Sequence, residues 1–429
     1  MVGNAGGWSV RCARIAVTFD ITNAKLDRIF AAALASAAVG IGVYAGVQTG
    51  NAETATGAQT CLHPAAWTML DSGQPRGAGI SSVLTEMAKK EVVLLGEQHD
   101  QEDDHRWQLQ VLSALHAQRP DMVIGFEMFP RRTQPVLDSW VAGNLTVKQL
   151  LEQSQWESVW KLPAELYLPL FQFARINRIP MVALNIDQKL TRTIAEKGWD
   201  AVSDAEREGV GRAAEAPPAY RDFLFEIYGE HPTLRGKDAA KAQKTDSAFG
   251  RFVESQTTWD RAMAEALARL AIPGTAGARP LVVGIMGSGH IRFGQGVPHQ
   301  LRDLGVTNVG TLLPVPLDFD CKELRPGLAD AVFALPEPAK AKPEPPRLGV
   351  RLEENAGAVR IAEVTIGSLA EKTGLKAGDQ IVEVAGVPAS RTLRVIAAVR
   401  LQPAGTWLPL RVRRGDDTLE LVVKFPPNP

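Results

Sequence analysis

The sequence predicts an α/β fold: a mostly parallel sheet flanked by helices, followed by a small β-barrel-like module. Three observations lead there. Short, uninterrupted apolar runs recur before residue 335 and read as strands covered on both faces. Longer helical stretches separate them, an alternation that belongs to βαβ architecture. Beyond a Pro-rich segment the chain changes to short strands spaced by glycine turns.

At 429 residues the chain exceeds one typical domain, and two folded units are expected. The formal charge of -1 leaves no excess of Lys or Arg to neutralise phosphates, so nucleic acid is not an expected partner. From Phe30 to about Val47 runs an Ala/Gly-rich apolar stretch, preceded by Arg11, Arg14, Lys25 and Arg28 and followed by small residues. It reads as an export signal, with residues 1–58 forming signal and tail and the mature chain in the periplasm or envelope. The stretch is also long enough to stay as an uncleaved anchor; cleavage is the expectation. Cys12 then leaves with the signal, and Cys61 lacks the apolar lead of a lipid-modified cysteine. Cys61 and Cys321 are a candidate pair for a disulfide in an oxidising compartment.

Four strands follow in order. Val92–Leu95 ends in Gly96-Glu97-Gln98-His99, and Met122–Phe126 runs into Glu127. Met181–Leu184 runs into Asn185 and Asp187, and Leu281–Met286 ends in Gly287-Ser288-Gly289-His290. Helical stretches span Asp104 to Gln118, Pro169 to Arg178, Asp187 to Lys197 and Lys237 to Leu270. In an open parallel sheet, ligands bind outside the carboxyl ends of the strands. Glu97, His99, Glu127 and His290 are therefore the candidate catalytic constellation. A glycine and a polar residue after one strand is ordinary turn chemistry. Two Gly-x-x-His endings with a Glu at a third strand end favour a site.

His99 and His105 are six apart and do not make the i, i+4 pair of zincin peptidases. Asp100, Glu102, Asp103 and Asp104 read as a helix N-terminus, and His63, His105, His116 and His299 as surface or capping residues. Phe249, Phe252, Gln256, Asp260 and Met263 share one face of the long helix, where Gln256 and Asp260 need partners if that face is buried. An aromatic insertion holding Trp140, Trp156, Trp160, Tyr167, Tyr220, Tyr228 and His231 is expected to cover the crevice.

The segments Leu95–His99, Gly125–Met128, Pro180–Asn185, Trp259–Ala264, Gly287–His290 and Gly296–Pro298 resemble the ChaN-like haem-binding family, over roughly residues 60 to 320. That family sits in a superfamily with the Tiki and TraB proteins and erythromycin esterases. The resemblance implies two activities. One is haem binding and iron uptake at the bacterial envelope, with Tyr228, His231 and, as a further choice, Tyr220 as axial-ligand candidates; Gln256 and Asp260 are expected among the cofactor-binding residues as supports of the strand-end cluster. The other is metal-dependent hydrolysis, with His99, Glu127 and His290 holding Zn, Mn or Fe and Glu97 acting as base or orienting water.

Residues 335–346 are rich in Pro, Ala and charge and read as a semi-rigid linker between a unit at 59–334 and one at 347–427. The second unit, through Gly367-Ser368-Leu369-Ala370 and Gly374-Leu375-Lys376-Ala377-Gly378-Asp379-Gln380-Ile381, is similar to a bacterial PDZ domain. Such domains bind extended or C-terminal peptides by strand addition. Leu348, Gly349, Val350, Arg351 and Leu352 are the expected edge, and Leu393 and Ala397 the expected pocket wall. Oligomerisation is left open.

Overall fold

A computed structural model describes residues 61–70, 73–230, 243–271, 279–336, 346–355 and 357–427. The predicted export signal, His231 and most of the linker lie outside the described residues.

The first unit opens with β1 (Ala66–Met69), β2 (Arg76–Ala78), α1 (Ile80–Ala88), β3 (Val92–Leu95) and α2 (Glu102–Gln118). Next come β4 (Met122–Pro130), α3 (Gln134–Val141), α4 (Val147–Gln153), α5 (Trp156–Val159), α6 (Leu168–Ile176), β5 (Met181–Asn185) and α7 (Gln188–Lys197). It closes with α8 (Pro218–Glu230), α9 (Ser247–Ala271), β6 (Leu281–Ile285), α10 (Val297–Asp303), β7 (Val309–Val315) and β8 (Ala331–Ala334). The eight strands lie in the order β2-β1-β8-β7-β3-β6-β4-β5. The run from β8 to β5 is parallel, and β1 joins it antiparallel to β8.

The sheet is covered on both faces, which is why its strands carry continuous apolar runs rather than alternation. Along β3, Val93 and Leu95 enter one core with Trp107, Leu112 and Leu115 of α2. Val92 and Leu94 enter the other with Met263 and Leu267 of α9. Two departures from the sequence reading matter. Strand β4 continues past Phe126 to Pro130, so Glu127 lies inside a strand whose pairing with β5 shifts register beyond Phe126. The described part of the long helix begins at Ser247, and the expected start at Lys237 lies outside the described residues.

Cys61 and Cys321 form a disulfide across 260 residues of sequence. No helix among the described residues is long and apolar enough to cross a membrane.

The second unit contains β9 (Val350–Asn355), β10 (Ala358–Val364), α11 (Leu369–Thr373), β11 (Gln380–Val384), β12 (Val387–Pro388), α12 (Thr392–Arg400), β13 (Trp407–Arg414) and β14 (Asp417–Lys424). Its sheet is antiparallel in the order β14-β13-β11-β10-β9, with β12 beside β11, over a core of its own. The glycine-rich pattern has a physical account here. Ser368 caps α11 by accepting from the Glu371 amide, and Gly374 ends it at φ +84°. Asp379 accepts from the Lys376 amide and from Arg414, which ties the following turn to β13.

Candidate functional site

Strands β3, β6 and β4 are neighbours, with Leu95 level with Ile285 and Ile285 level with Phe126. The two Gly-x-x-His loops therefore leave the sheet at one height, level with Glu127 inside β4. The loops are bonded to each other, since the Ser288 amide donates to the Glu97 carbonyl at 2.9 Å. Both positions leave little room for a side chain, Gly96 the less. A Cβ on Gly96 would stand 2.4 Å from Leu313 and 2.7 Å from the Ser288 hydroxyl, and one on Gly287 3.0 Å from the His99 ring. The repeated glycine is thus what lets two strand-end loops close on one another.

Inside this junction the side chains form two matching relays. His99 donates from Nδ1 to Glu97 at 2.7 Å, and the Tyr167 hydroxyl donates to the same carboxylate at 2.8 Å. His290 donates from Nδ1 to Asp260 at 2.6 Å, and the Tyr220 hydroxyl donates to that carboxylate at 2.8 Å. Each relay runs tyrosine, carboxylate, imidazole, and each imidazole meets a tryptophan edge-on: Trp160 at 4.8 Å from His99, Trp259 at 4.9 Å from His290. Glu127 stands by both. One of its oxygens accepts from the Gly287 amide at 2.7 Å, and the other lies 3.6 Å from His290 Nε2. Nε2 of His99, Nε2 of His290 and Oε1 of Glu127 are all buried without a hydrogen-bond partner. A carboxylate on Nδ1 orients each ring, and whenever the imidazole loses its second proton the lone pair is left on Nε2.

The electrostatics follow from burying these groups together. Burial alone would pull the His290 pKa down, but the Asp260 and Glu127 carboxylates outweigh it and push the pKa up to about 10. For His99 burial again opposes, and Glu127 and Glu97 raise it. Burial works against the charge of Glu97, yet His105 and His99 hold its carboxyl well below the usual range. Burial likewise opposes Glu127, whose carboxyl His290 and His99 lower.

Outside the relays, at the ends of β4 and β5, opens a cleft of about 170 Å³. Trp160, Trp259 and Asn185 line it, and Asn185 donates to the Glu127 carbonyl at 2.9 Å.

The structure brings Glu97, His99, Glu127 and His290 into one cluster and gives Glu97 a narrower part than water activation. Its two oxygens already accept from His99, Tyr167 and Gln108, with His105 Nδ1 at 3.3 Å, so it orients His99 and has no free lone pair for a water proton. No group of three His, Cys, Asp or Glu side chains among the described residues is spaced to hold a metal ion as it stands. Asp260 belongs to the His290 relay, one turn from the buried Gln256. Tyr228 is buried against Phe249 and Phe252.

His105 corrects the surface reading. It is 3% exposed, reaches Gln108 at 3.2 Å and the His99 carbonyl at 3.2 Å, and meets the Tyr167 ring at a tilt, 4.3 Å between centroids. The signal for it was available: His105 and Gln108 fall with Leu112 and Leu115 on one apolar helix stripe. His63 is exposed, His116 meets Phe173 edge-on, and His299 bonds to the Glu215 carbonyl. In the second unit β9 starts at Val350, two residues after the expected edge. Leu348 lies in the core, and Gly349 sits at φ +79°, where a Cβ would also stand 2.3 Å from that of Ser368. Val350, Arg351 and Leu352 lie on the edge strand, with half-buried Leu393 and exposed Ala397 on α12.

The family described as "Haem-binding uptake, Tiki superfamily, ChaN" matches residues 83–301, and a PDZ domain matches residues 346–425. Among solved structures, ChaN of Campylobacter jejuni with cofacial haem is similar at 18% identity and a TM-score of 0.47, over 63% of this chain and 96% of that one. The HtrA-type protease AlgW with a decapeptide is 24% identical, with a TM-score of 0.18, over 19% of this chain and 29% of that one. The HtrA3 PDZ domain bound to a phage-derived ligand is 26% identical, with a TM-score of 0.17, over 18% and 82%. No curated protein matches. The chain belongs to the ChaN haem-binding-uptake family of the Tiki superfamily and carries a C-terminal PDZ domain.

Proposed function

We propose that this chain is an exported protein of the bacterial envelope that binds haem in iron uptake and recruits a peptide or protein partner through its PDZ domain. The observation that carries the reading is the family match, which spans both the strand-end cluster and the aromatic helix α8. The Cys61–Cys321 disulfide supports an oxidising compartment. Edge strand β9 beside α12 supports strand addition of a peptide.

Haem asks for an axial His or Tyr and a dry apolar surface. The cleft of about 170 Å³ is smaller than pockets that enclose drug-sized ligands, about 300–1,000 Å³, and a porphyrin does not fit there. The relay histidines, behind Trp160 and Trp259, do not fit as axial ligands. Helix α8 fits better: Phe223 and Phe225 are half-buried, Tyr228 packs on Phe249 and Phe252, and His231 follows in sequence. Haem titration of the purified chain should give a Soret band that moves in His231→Ala or Tyr228→Phe and stays put in His99→Ala. A band that moves only with His99→Ala overturns this placement.

A second reading, metal-dependent hydrolysis, is favoured by the three bare atoms of His99, Glu127 and His290. A divalent ion drawn in by those groups would lower the pKa of a bound water and leave a position for substrate. Metal analysis of the purified chain tests it: stoichiometric metal that disappears in His99→Ala and His290→Ala supports the reading, and equal metal in wild type and variants removes it.

A further inference from the structure

We propose that the PDZ groove reads only the last three residues of a partner's free C-terminal tail, because Glu354 reaches across the groove and closes it beyond them. This narrows the peptide-recruitment reading, on which it rests, to a class of partner. Strand β9 is an edge, paired with β10 on one side and bare on the other. Asn355 pairs with Ala358 across a two-residue connection, so that pair exchanges both of its backbone hydrogen bonds. By alternation Glu354, Leu352 and Val350 then turn their backbone N–H and C=O groups to the bare edge, where an added strand bonds. The register shift at Ile361 and Glu363 lies in β10 and leaves this count along β9 unbroken. The side chains of the same three residues share one face of the strand. Val350 and Leu352 are half-buried there, whereas Arg351 and Glu353 stand exposed and pair with each other on the opposite face.

At Glu354 the groove face changes character. Its carboxylate accepts from the Thr392 amide at 3.0 Å and lies 3.6 Å from the Arg391 guanidinium, both at the start of α12. The Arg391 side chain does not cap the helix, so Glu354 supplies from the strand an acceptor that the helix end lacks. The two walls of the groove are thereby tied together at that end. From the tie onward α12 presents Leu393, Ile396, Ala397 and Arg400, a stripe at i, i+3, i+4 and i+7, while Val395 and Val399 enter the core. A peptide added antiparallel to β9 sets its last residue level with Val350, its third from last with Leu352 and its fifth from last with Glu354. The first two side chains meet the apolar stripe. The fifth from last meets space already filled by a carboxylate bonded to the facing helix. Arg400, in the last turn of α12 and away from the tie, adds positive charge at the end where the tail's carboxylate lies.

The test uses the full chain and fluorescence anisotropy. A random library of heptapeptides with free carboxyl ends supplies the probe, and its tightest member is remade as the acetylated tripeptide of the same last three residues. Selection should fix residues only within those three positions, and the tripeptide should bind within about two-fold of the heptapeptide. In Glu354→Ala the groove is open, so the heptapeptide should bind about five-fold tighter than the tripeptide, the contribution of about two further cross-strand pairs. Selection should then reach the fifth residue from the end. Glu354→Gln keeps an oxygen for the Thr392 amide and should retain the short reading, which separates the tie from the loss of a charge. Each comparison is a ratio within one protein, so a change in folded fraction cancels. A wild-type heptapeptide about five-fold or more tighter than its tripeptide, or a Glu354→Ala ratio equal to that of wild type, overturns the closed groove and leaves peptide recruitment standing. Absence of any selectable binder removes the recruitment reading itself, and the closed groove with it.

Discussion

At the residue scale the two relays differ in how much depends on each group. Glu97 is 2% exposed and is approached by His99, His105, Tyr167 and Gln108, so Glu97→Ala strands several buried polar groups at once. We expect a loss of about 3–5 kcal/mol in urea unfolding. Tyr220→Phe removes one hydrogen bond to Asp260 and should cost about 1 kcal/mol. The His290 proton makes a pH prediction. Its folded pKa of about 10 lies above the ordinary 6.5, so the stabilisation is complete below 6.5 and lost as pH rises through 10. The melting midpoint of EDTA-treated protein should therefore fall between about pH 7 and 10, and His290→Asn should flatten that fall. An equal slope in wild type and variant counts against it. His99 and His290 were legible because each follows a strand in a Gly-x-x-His loop, and Glu127 because it closes the apolar run of β4, although the strand itself continues to Pro130. Tyr167 and Tyr220 were not legible as their supports, because each reaches its carboxylate across 70 and 40 residues of sequence.

At the scale of elements, the strand-end loops show what a repeated motif encodes. The sequence displays Gly-x-x-His twice, and the structure shows the glycines as contact points: Gly96 against Leu313 and Ser288, Gly287 against the His99 ring. Gly96→Ala should be the more damaging change, about 1–3 kcal/mol, because its Cβ would meet the side chains of two other strand ends at 2.4 and 2.7 Å. Gly287→Ala should act mainly on the site, since the ring it presses can tilt. Comparing the loss of stability with the change at His99, by urea unfolding and imidazole NMR shifts, separates the two. The central strands were readable from apolar runs alone. The antiparallel edge was not, because β1 is four residues long and finds its partner β8 far along the chain, from Ala66 to Ala334. The PDZ edge was displaced by two residues for a local reason: Gly349 needs a left-handed turn before the strand can begin.

At the scale of the whole molecule, the disulfide and the edge pairing address the same seam. Cys61 precedes β1, Cys321 precedes β8, and these two strands pair with Trp67 opposite Phe333 and Thr68 opposite Val332. The crosslink therefore restrains the join between the start and the end of the first unit. Closing a loop across 260 residues removes a large share of unfolded-chain freedom, and loss of a native disulfide typically costs about 2–5 kcal/mol. The PDZ core is drawn only from residues 348–425 and shares none with the first unit's clusters. Reduction, or Cys61→Ser with Cys321→Ser, should then lower the calorimetric transition of the first unit by several degrees and leave that of the PDZ domain in place. Two transitions moving together, or neither moving, would show that the crosslink does not serve this seam. The cysteines were visible as candidates from the start. Their pairing needed the edge strands, because only the β1–β8 contact explains why residues so distant in sequence meet.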